Sequence, residues 1–159
     1  MTPHLVVGVG NDFRGDDAAG LFTVRSLRRS LHEATRGAEL PGVDILEQSG
    51  EGAALIEAWR GYETVILVDA ARSGAAPGTV HRIEVGAGPL PALLAGRLSS
   101  HAFGVAGAVE MARALDRLPP RLVIYAVEGK TFDLGAPLSP EVKEAARELA
   151  GRLLREWST

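Results

Sequence analysis

The sequence contains no cysteine, which excludes disulfides, thiolate metal sites and cysteine nucleophiles. It has no block of basic residues and a net charge of −3, so we expect neither nucleic acid nor an anionic membrane surface as a partner. No apolar run approaches the ~20 residues that cross a bilayer. The stretch MTPHLVVGVGND lacks the basic region of a signal peptide. These absences predict a cytoplasmic protein.

Three hydrolase and nucleotide-binding signatures are also missing. The chain has no GxSxG, no Walker loop and no HExxH, so a serine hydrolase and a thermolysin-like zinc site are unsupported. Candidate catalytic residues must therefore be identified from other features of the sequence.

The residues that are present are typical of a compact α/β domain. With 159 residues, 46% of them hydrophobic, and 19 glycines, we expect a single domain over residues 1–159. Apolar runs predict five strands, at residues 5–9, 43–46, 63–68, 79–85 and 122–127. Helical spacing between them predicts a three-layer α/β sandwich, in which a mostly parallel twisted sheet has helices on both faces. Only ten residues separate the third and fourth strands, which predicts that the fourth runs antiparallel.

Residues 6–20, VVGVGNDFRGDDAAG, form the stretch around which the chain is organised. They predict a buried strand, a glycine-containing loop and a helix that begins at Asp16 and Asp17. Gly20 lies in the apolar stripe of that helix and lets the helix approach the sheet closely. Asp17 then comes at the carboxyl end of the first strand, where open α/β sheets place their sites.

Three potential ligands share that position in the predicted fold. Asp17 follows the first strand, Asp69 ends the most buried strand, and His101 precedes a helix. The carboxyl ends of neighbouring parallel strands lie at one edge, so we expect these side chains to meet in one cleft. Two carboxylates and an imidazole suit a borderline divalent ion such as nickel, iron, zinc or manganese. The same residues also suit a water held between paired carboxylates, one of which acts as base.

Each of these acids and histidines also has a purely structural interpretation. Asp16 is expected to cap the helix, and Asp17 is a second candidate partner for the helix dipole. A lone loop histidine such as His101 is more often a surface residue than a ligand. His81 is interpreted as structural or solvated, and Glu128, at the end of the last strand, as a residue at the rim of the site.

The glycine loop also raises a dinucleotide-binding interpretation. Gly8 and Gly10 match the start of the Rossmann fingerprint, but Phe13 occupies the place of the third glycine and Gly15 comes two positions late. Acids at the helix start would repel a pyrophosphate at that point. Nucleotide binding is therefore ranked below the carboxylate site.

Four segments together resemble the nickel–iron hydrogenase maturation endopeptidases, in the family's order over essentially the whole chain. The segments are GVGNDFRGDDAAG, VDA at residues 68–70, SSHAFGVAGAVEMA and VEGKTFDLGAPLSPEV. The resemblance implies a twisted sheet between helices. It also implies a peptidase, a hydrolase that removes the C-terminal extension of a hydrogenase large subunit after nickel has been inserted.

The resemblance also assigns residues. The family's metal-contacting positions fall on Asp17, Asp69 and His101, and the catalytic acids would be Asp17 and Asp69. Nickel would be carried by the substrate, the large-subunit precursor, although other divalent ions could occupy the site. Family members often carry an Asp-Gly-Gly-Thr-like stretch after the second strand. Here residues 48–52 read QSGEG, so the acid of that loop is lost or moved to Glu51.

The sequence therefore leaves three functions open, each from a different class. The first is the processing endopeptidase, which we expect to act as a monomer. The second is a metal-sensing chaperone that binds the immature subunit without cutting it. The third is a nucleotide-binding protein built on the glycine loop.

Overall fold

Five strands and four α-helices make up the part of the chain that the computed structural model describes, residues 3–37, 42–86, 88, 90 and 104–158. The strands are β1 (His4–Val9), β2 (Val43–Gln48), β3 (Thr64–Ala71), β4 (Val80–Glu84) and β5 (Arg121–Glu128). The helices are α1 (Ala19–Ala34), α2 (Gly52–Ala58), α3 (Gly104–Ala114) and α4 (Pro140–Ser158), and a short 3₁₀ helix, Gly15–Ala18, leads into α1.

The strands form one mostly parallel sheet in the order β2–β1–β3–β5–β4. β4 is the exception, because it pairs antiparallel with β5 at the edge of the sheet. This confirms the predicted fold class and the predicted direction of the fourth strand. The chain passes from β1 outward to β2 and then returns to β3 on the other side of β1. The strand order thus reverses between β1 and β3, and such a reversal opens a crevice at the carboxyl ends of the two strands.

Helices cover both faces of the sheet, as the sequence predicts. Because side chains of a strand alternate between faces, each central strand contributes to two cores. α2 and α3 pack on one face, and α1 and α4 pack on the other. Within the first core, Trp59 also donates its indole N–H to the carbonyl of Arg117 at 3.0 Å. The central strands β1, β3 and β5 are buried almost throughout, which confirms the expectation drawn from their apolar runs.

Several strand ends lie beyond their predicted limits, and one of them changes the description of the site. β3 runs to Ala71, so Asp69 lies inside the strand and does not end it. The reason is long-range pairing, because Asp69 is opposite Ala126 and the ladder continues to Ala71 opposite Glu128. β5 likewise extends to Glu128. Among the described residues, no helix is both long and apolar enough to cross a membrane.

Candidate functional site

The reversal of strand order brings Asp17 and Asp69 to the same edge of the sheet. Asp17 lies in the 3₁₀ helix that follows β1, and Asp69 lies near the carboxyl end of the adjacent strand β3. Both carboxyl groups are fully buried. The charge of Asp17 also raises the pKa of Asp69, so the two groups are near enough to interact electrostatically. These are two of the three residues that the sequence predicts at this edge.

Two glycines allow the 3₁₀ helix to lie directly on the strand ends. A Cβ on Gly10 would lie 2.0 Å from the carbonyl oxygen of Asp17, and Gly10 has a φ of +157°. A Cβ on Gly20 would lie 2.1 Å from the carbonyl oxygen of Val68, in the strand that carries Asp69. No side chain fits at such distances, so the predicted close approach at Gly20 is confirmed. The glycine loop is thus the means by which Asp17 approaches β3.

The environment of Asp69 strongly disfavours its charged form. Burial raises the pKa of Asp69 well above its ordinary value of 3.8; donation from the Ala70 N–H, at 2.8 Å, opposes the shift, and the charge of Asp17 adds to it. The second oxygen, Oδ2, is buried and accepts no hydrogen bond from the residues that the structure describes. A buried carboxylate oxygen without a donor is costly unless a cation or a proton occupies it. The pair is therefore arranged to bind a cation or to share a proton.

Asp16 does not cap the helix, and the sequence-based interpretation of this residue is wrong. The residue before the 3₁₀ helix is Arg14, and it makes no side-chain cap bond. Asp16 instead binds the loop between β5 and α4. Its Oδ2 accepts from Lys130 N at 2.7 Å, Thr131 N at 3.0 Å and Ser139 Oγ at 2.7 Å, and its Oδ1 accepts from Ser139 N at 2.6 Å.

These four hydrogen bonds make Asp16 a connection between two distant loops. Although burial opposes the shift, the bonds from Ser139, Thr131 and Lys130 hold the pKa of Asp16 below 3.8. Ser139 precedes the first residue of α4, and its hydroxyl donates to Asp16. Of the two adjacent acids, Asp16 is thus a structural anchor, and Asp17 is the one whose charge raises the pKa of Asp69.

A further buried carboxylate, that of Glu128, lies on the same face of the sheet as Asp69. Its Oε2 accepts from Ser73 N at 2.8 Å, and its Oε1 accepts from Ser73 Oγ and lies 3.2 Å from His81 Nε2. The strand register places Ala126 between Asp69 and His81 in one row across the sheet. Glu128 therefore ties the segment after β3 to the edge strand β4, immediately beside the site.

From the sequence, Glu128 was predicted only as a residue at the rim of the site, and no acidic partner was predicted for His81. The available signal was the acid at the end of the apolar run RLVIYAVE, which parallels the acid in ILVDAA. The partners themselves carried no sequence signal, because Ser73 and His81 are 55 and 47 residues away from Glu128.

The remaining predicted residues have different outcomes. His101 lies outside the described residues, so its predicted place in the site stays a prediction. Glu51 has a local role, because its carboxylate accepts from Ala53 N at 3.1 Å and Ala54 N at 2.9 Å as the N-cap of α2. Across the described ranges, no group of three or more acidic or histidine side chains forms a complete metal site. Asp17 and Asp69 are thus the part of the predicted ligand set that the structure places.

A comparison with protein families identifies a known relationship. The family model for hydrogenase maturation proteases matches residues 24–156. The match begins after Asp17, so the position of that residue rests on the geometry described above.

Individual relatives agree with the family match. The chain is 28% identical over 142 residues to the hydrogenase expression/formation protein HupD of Thiocapsa roseopersicina, covering 88% of this chain and 61% of that protein. It is 29% identical over 157 residues to the hydrogenase 2 maturation protease of Escherichia coli, covering 96% and 90% of the two chains. The structure of the hydrogenase-maturating endopeptidase HybD from E. coli superposes with a TM-score of 0.76 at 27% identity, covering 98% of this chain and 94% of that one.

The family match covers well over half of the chain, and the fold of a solved relative agrees with it over nearly the whole length. The resemblance noted in the sequence is therefore confirmed, together with the predicted enzyme class of peptidase hydrolases. This chain belongs to the hydrogenase maturation protease family.

Proposed function

We propose that the protein is an endopeptidase that removes the C-terminal extension of a nickel-containing hydrogenase large subunit after the metal has been inserted. One observation carries the proposal: two fully buried carboxyl groups, Asp17 and Asp69, lie at the strand-order reversal of a fold that belongs to a processing-protease family. Fully buried carboxyl groups are rare in proteins, and two of them at one strand-order reversal are typical of a functional site.

The substrate's nickel is the feature that the site would recognise. The residues fit this role, because the buried Oδ2 of Asp69 accepts no hydrogen bond from any described residue, and carboxylate and imidazole donors suit borderline divalent ions. Asp17, Asp69 and His101 would engage the metal, which would supply positive charge at the point where the site is acidic. A precursor without nickel would bring no charge to compensate the two acids and would be rejected.

The acids also suit the hydrolysis itself. In this proposal one carboxylate accepts a proton from the attacking water, whose oxygen bonds to the carbonyl carbon of the scissile peptide. The carbon–nitrogen bond then breaks, and the proton passes to the departing amine nitrogen. Because burial and the charge of Asp17 both raise the pKa of Asp69, the pair is suited to sharing one proton through the cycle.

The experiment is precursor cleavage by the purified protein, with nickel-loaded and nickel-free large-subunit precursor. We expect a shortened subunit only from the loaded precursor. Asp17→Asn and Asp69→Asn each preserve side-chain size, so we expect a loss in kcat/KM of about 10²-fold or more with the fold intact. His101→Ala is expected to do the same.

The matched control is Asp12→Asn, because Asp12 lies in the loop just before the 3₁₀ helix of Asp17 but is exposed and pairs with Arg25. It is expected to cleave at the wild-type rate. Normal cleavage by Asp17→Asn would contradict the site. Tight binding of the loaded precursor without cleavage would favour the chaperone function. Both results are expected in the absence of any added nucleotide.

A further inference from the structure

Two large apolar side chains are more exposed than the other large apolar side chains that the structure describes. Phe13 and Leu134 each expose 72% of their surface, whereas the exposed Leu115 and Leu46 reach 56% and 36%. Exposing a phenylalanine and a leucine to water is unfavourable, and such side chains are usually withdrawn into the core. We call this pair the apolar rim.

Backbone contacts place the two residues of the rim together, although they are 121 positions apart in sequence. The carbonyl of Phe13 accepts from Gly135 N at 2.7 Å, which joins its loop to the residue after Leu134. Asp16 anchors the same two loops through its bonds to the segment between β5 and α4. A Cβ on Gly15 would lie 2.4 Å from the Thr131 carbonyl oxygen, which shows how closely the loops pack.

The backbone that carries the rim is also closed by hydrogen bonds before any partner arrives. Phe13 N donates to Asn11 Oδ1 at 2.9 Å, and Ala136 N donates to the Asp133 carbonyl at 3.1 Å, so each apolar residue lies in a closed turn. A backbone that is already ordered loses little conformational entropy on binding, and this preorganisation favours affinity.

The rim borders the proposed site. Phe13 lies in the loop between β1 and the 3₁₀ helix and comes four residues before Asp17 in the chain. A folded protein whose chain end reaches the Asp17–Asp69 pair must therefore come close to this loop. The rim is in the position where such a partner would first make contact.

We propose that Phe13 and Leu134 form the docking anchor for the folded large-subunit precursor, and that they bind an apolar patch on its surface. This inference rests on the proposed function. The size of the rim argues against a second copy of this chain as its occupant. A buried phenylalanine contributes about 150–250 Å², and stable dimers bury about 800 Å² per partner. Two side chains suit a transient contact between an enzyme and a protein substrate.

The test is the double variant Phe13→Ser/Leu134→Ser, assayed for KM and kcat on nickel-loaded precursor. We expect KM to rise about tenfold or more while kcat changes less than about twofold, because docking precedes the chemistry. Leu115→Ser is the matched control, since Leu115 is an exposed leucine that follows α3 and precedes the amino end of β5, whereas the site lies at the carboxyl ends of the strands. It is expected to leave both constants unchanged. Thermal unfolding of the variants should match the wild type, and Phe13→Ala serves if the double variant does not fold.

The outcomes separate this inference from the proposed function. If the wild type cleaves and the double variant has an unchanged KM, the docking inference is wrong and the function stands. If the wild type binds loaded precursor without cutting it, the function fails, and a tenfold rise in Kd for the double variant still supports docking. If the wild type neither binds nor cuts the precursor, both are wrong. A wild-type dimer that the double variant disrupts would identify a second copy as the occupant and overturn the inference.

Discussion

Asp16→Ala is predicted to destabilise the protein more than the loss of one acid from a short 3₁₀ helix would imply. The Asp16 carboxylate is fully buried and accepts four hydrogen bonds, from Lys130 N, Thr131 N, Ser139 N and Ser139 Oγ. Alanine removes every acceptor and leaves three backbone N–H groups and a hydroxyl without an acceptor, those of Ser139 at a buried position. The loop between β5 and α4 then keeps only its backbone bonds to this segment, from Asp16 N to the Thr131 carbonyl and from Gly135 N to the Phe13 carbonyl.

The magnitude follows from the number of abandoned donors. An unsatisfied buried donor costs about 1–3 kcal/mol. Water can enter the space that the carboxylate leaves and satisfy some of the four donors, so we take the lower end and expect a total loss of about 3–5 kcal/mol. Domains of this size unfold with about 5–15 kcal/mol. The expected fall in Tm is roughly 6–20 °C, at about 2–4 °C for each kcal/mol.

The assay is calorimetric unfolding of Asp16→Ala beside the wild type and a control, with urea unfolding to check that the m-value is unchanged. The control is Asp12→Ala, in the loop just before the 3₁₀ helix that contains Asp16. Asp12 is exposed and pairs with Arg25 at 2.8 Å, so its loss is expected to cost less than about 1 kcal/mol. A Tm for Asp16→Ala within about 2 °C of the wild type would refute the reasoning. So would an equal loss in the two variants.

Two further predictions concern the surroundings of the site. Although burial opposes the shift, the hydrogen bonds from Ser73 hold the pKa of Glu128 below its ordinary 4.5, so its stabilisation is present above pH 4.5 and is lost as pH falls through the folded-state pKa. Urea unfolding should therefore show Glu128→Gln about 1–3 kcal/mol less stable than the wild type at pH 7, with the difference vanishing in acid. Gly20→Ala should cost about 1–3 kcal/mol, because its Cβ would meet the Val68 carbonyl at 2.1 Å. Gly151→Ala, whose Cβ meets only the Arg155 guanidinium at 3.4 Å, should be neutral or stabilising by thermal unfolding.

Much of the fold followed from local patterns. The apolar run ETVILV predicted a strand buried on both faces, and the short connection after it predicted an antiparallel fourth strand; both are confirmed. These predictions succeed because a strand in the middle of a sheet must be apolar on both faces, whatever its partners are. The limits of the strands were less accurate, since the end of β3 depends on pairing with β5, more than fifty residues away.

Local patterns in the sequence predicted only part of the candidate site. That Asp17 and Asp69 lie at one edge follows from the rule for carboxyl ends of parallel strands, which requires only the order of strands and helices. The distinction between Asp16 and Asp17 did not follow. Both acids begin the same helical segment, and each could have been its cap.

Only the folded chain distinguishes them, because the partners of Asp16 are 114 to 123 residues away. The Glu128 network and the rim of Phe13 and Leu134 have the same origin, since each joins segments that are distant in sequence and adjacent in space. Periodicity along a chain reports which face of an element avoids water. Which buried polar group meets which depends on how the loops pack at the end of the sheet, and that is a property of the tertiary structure.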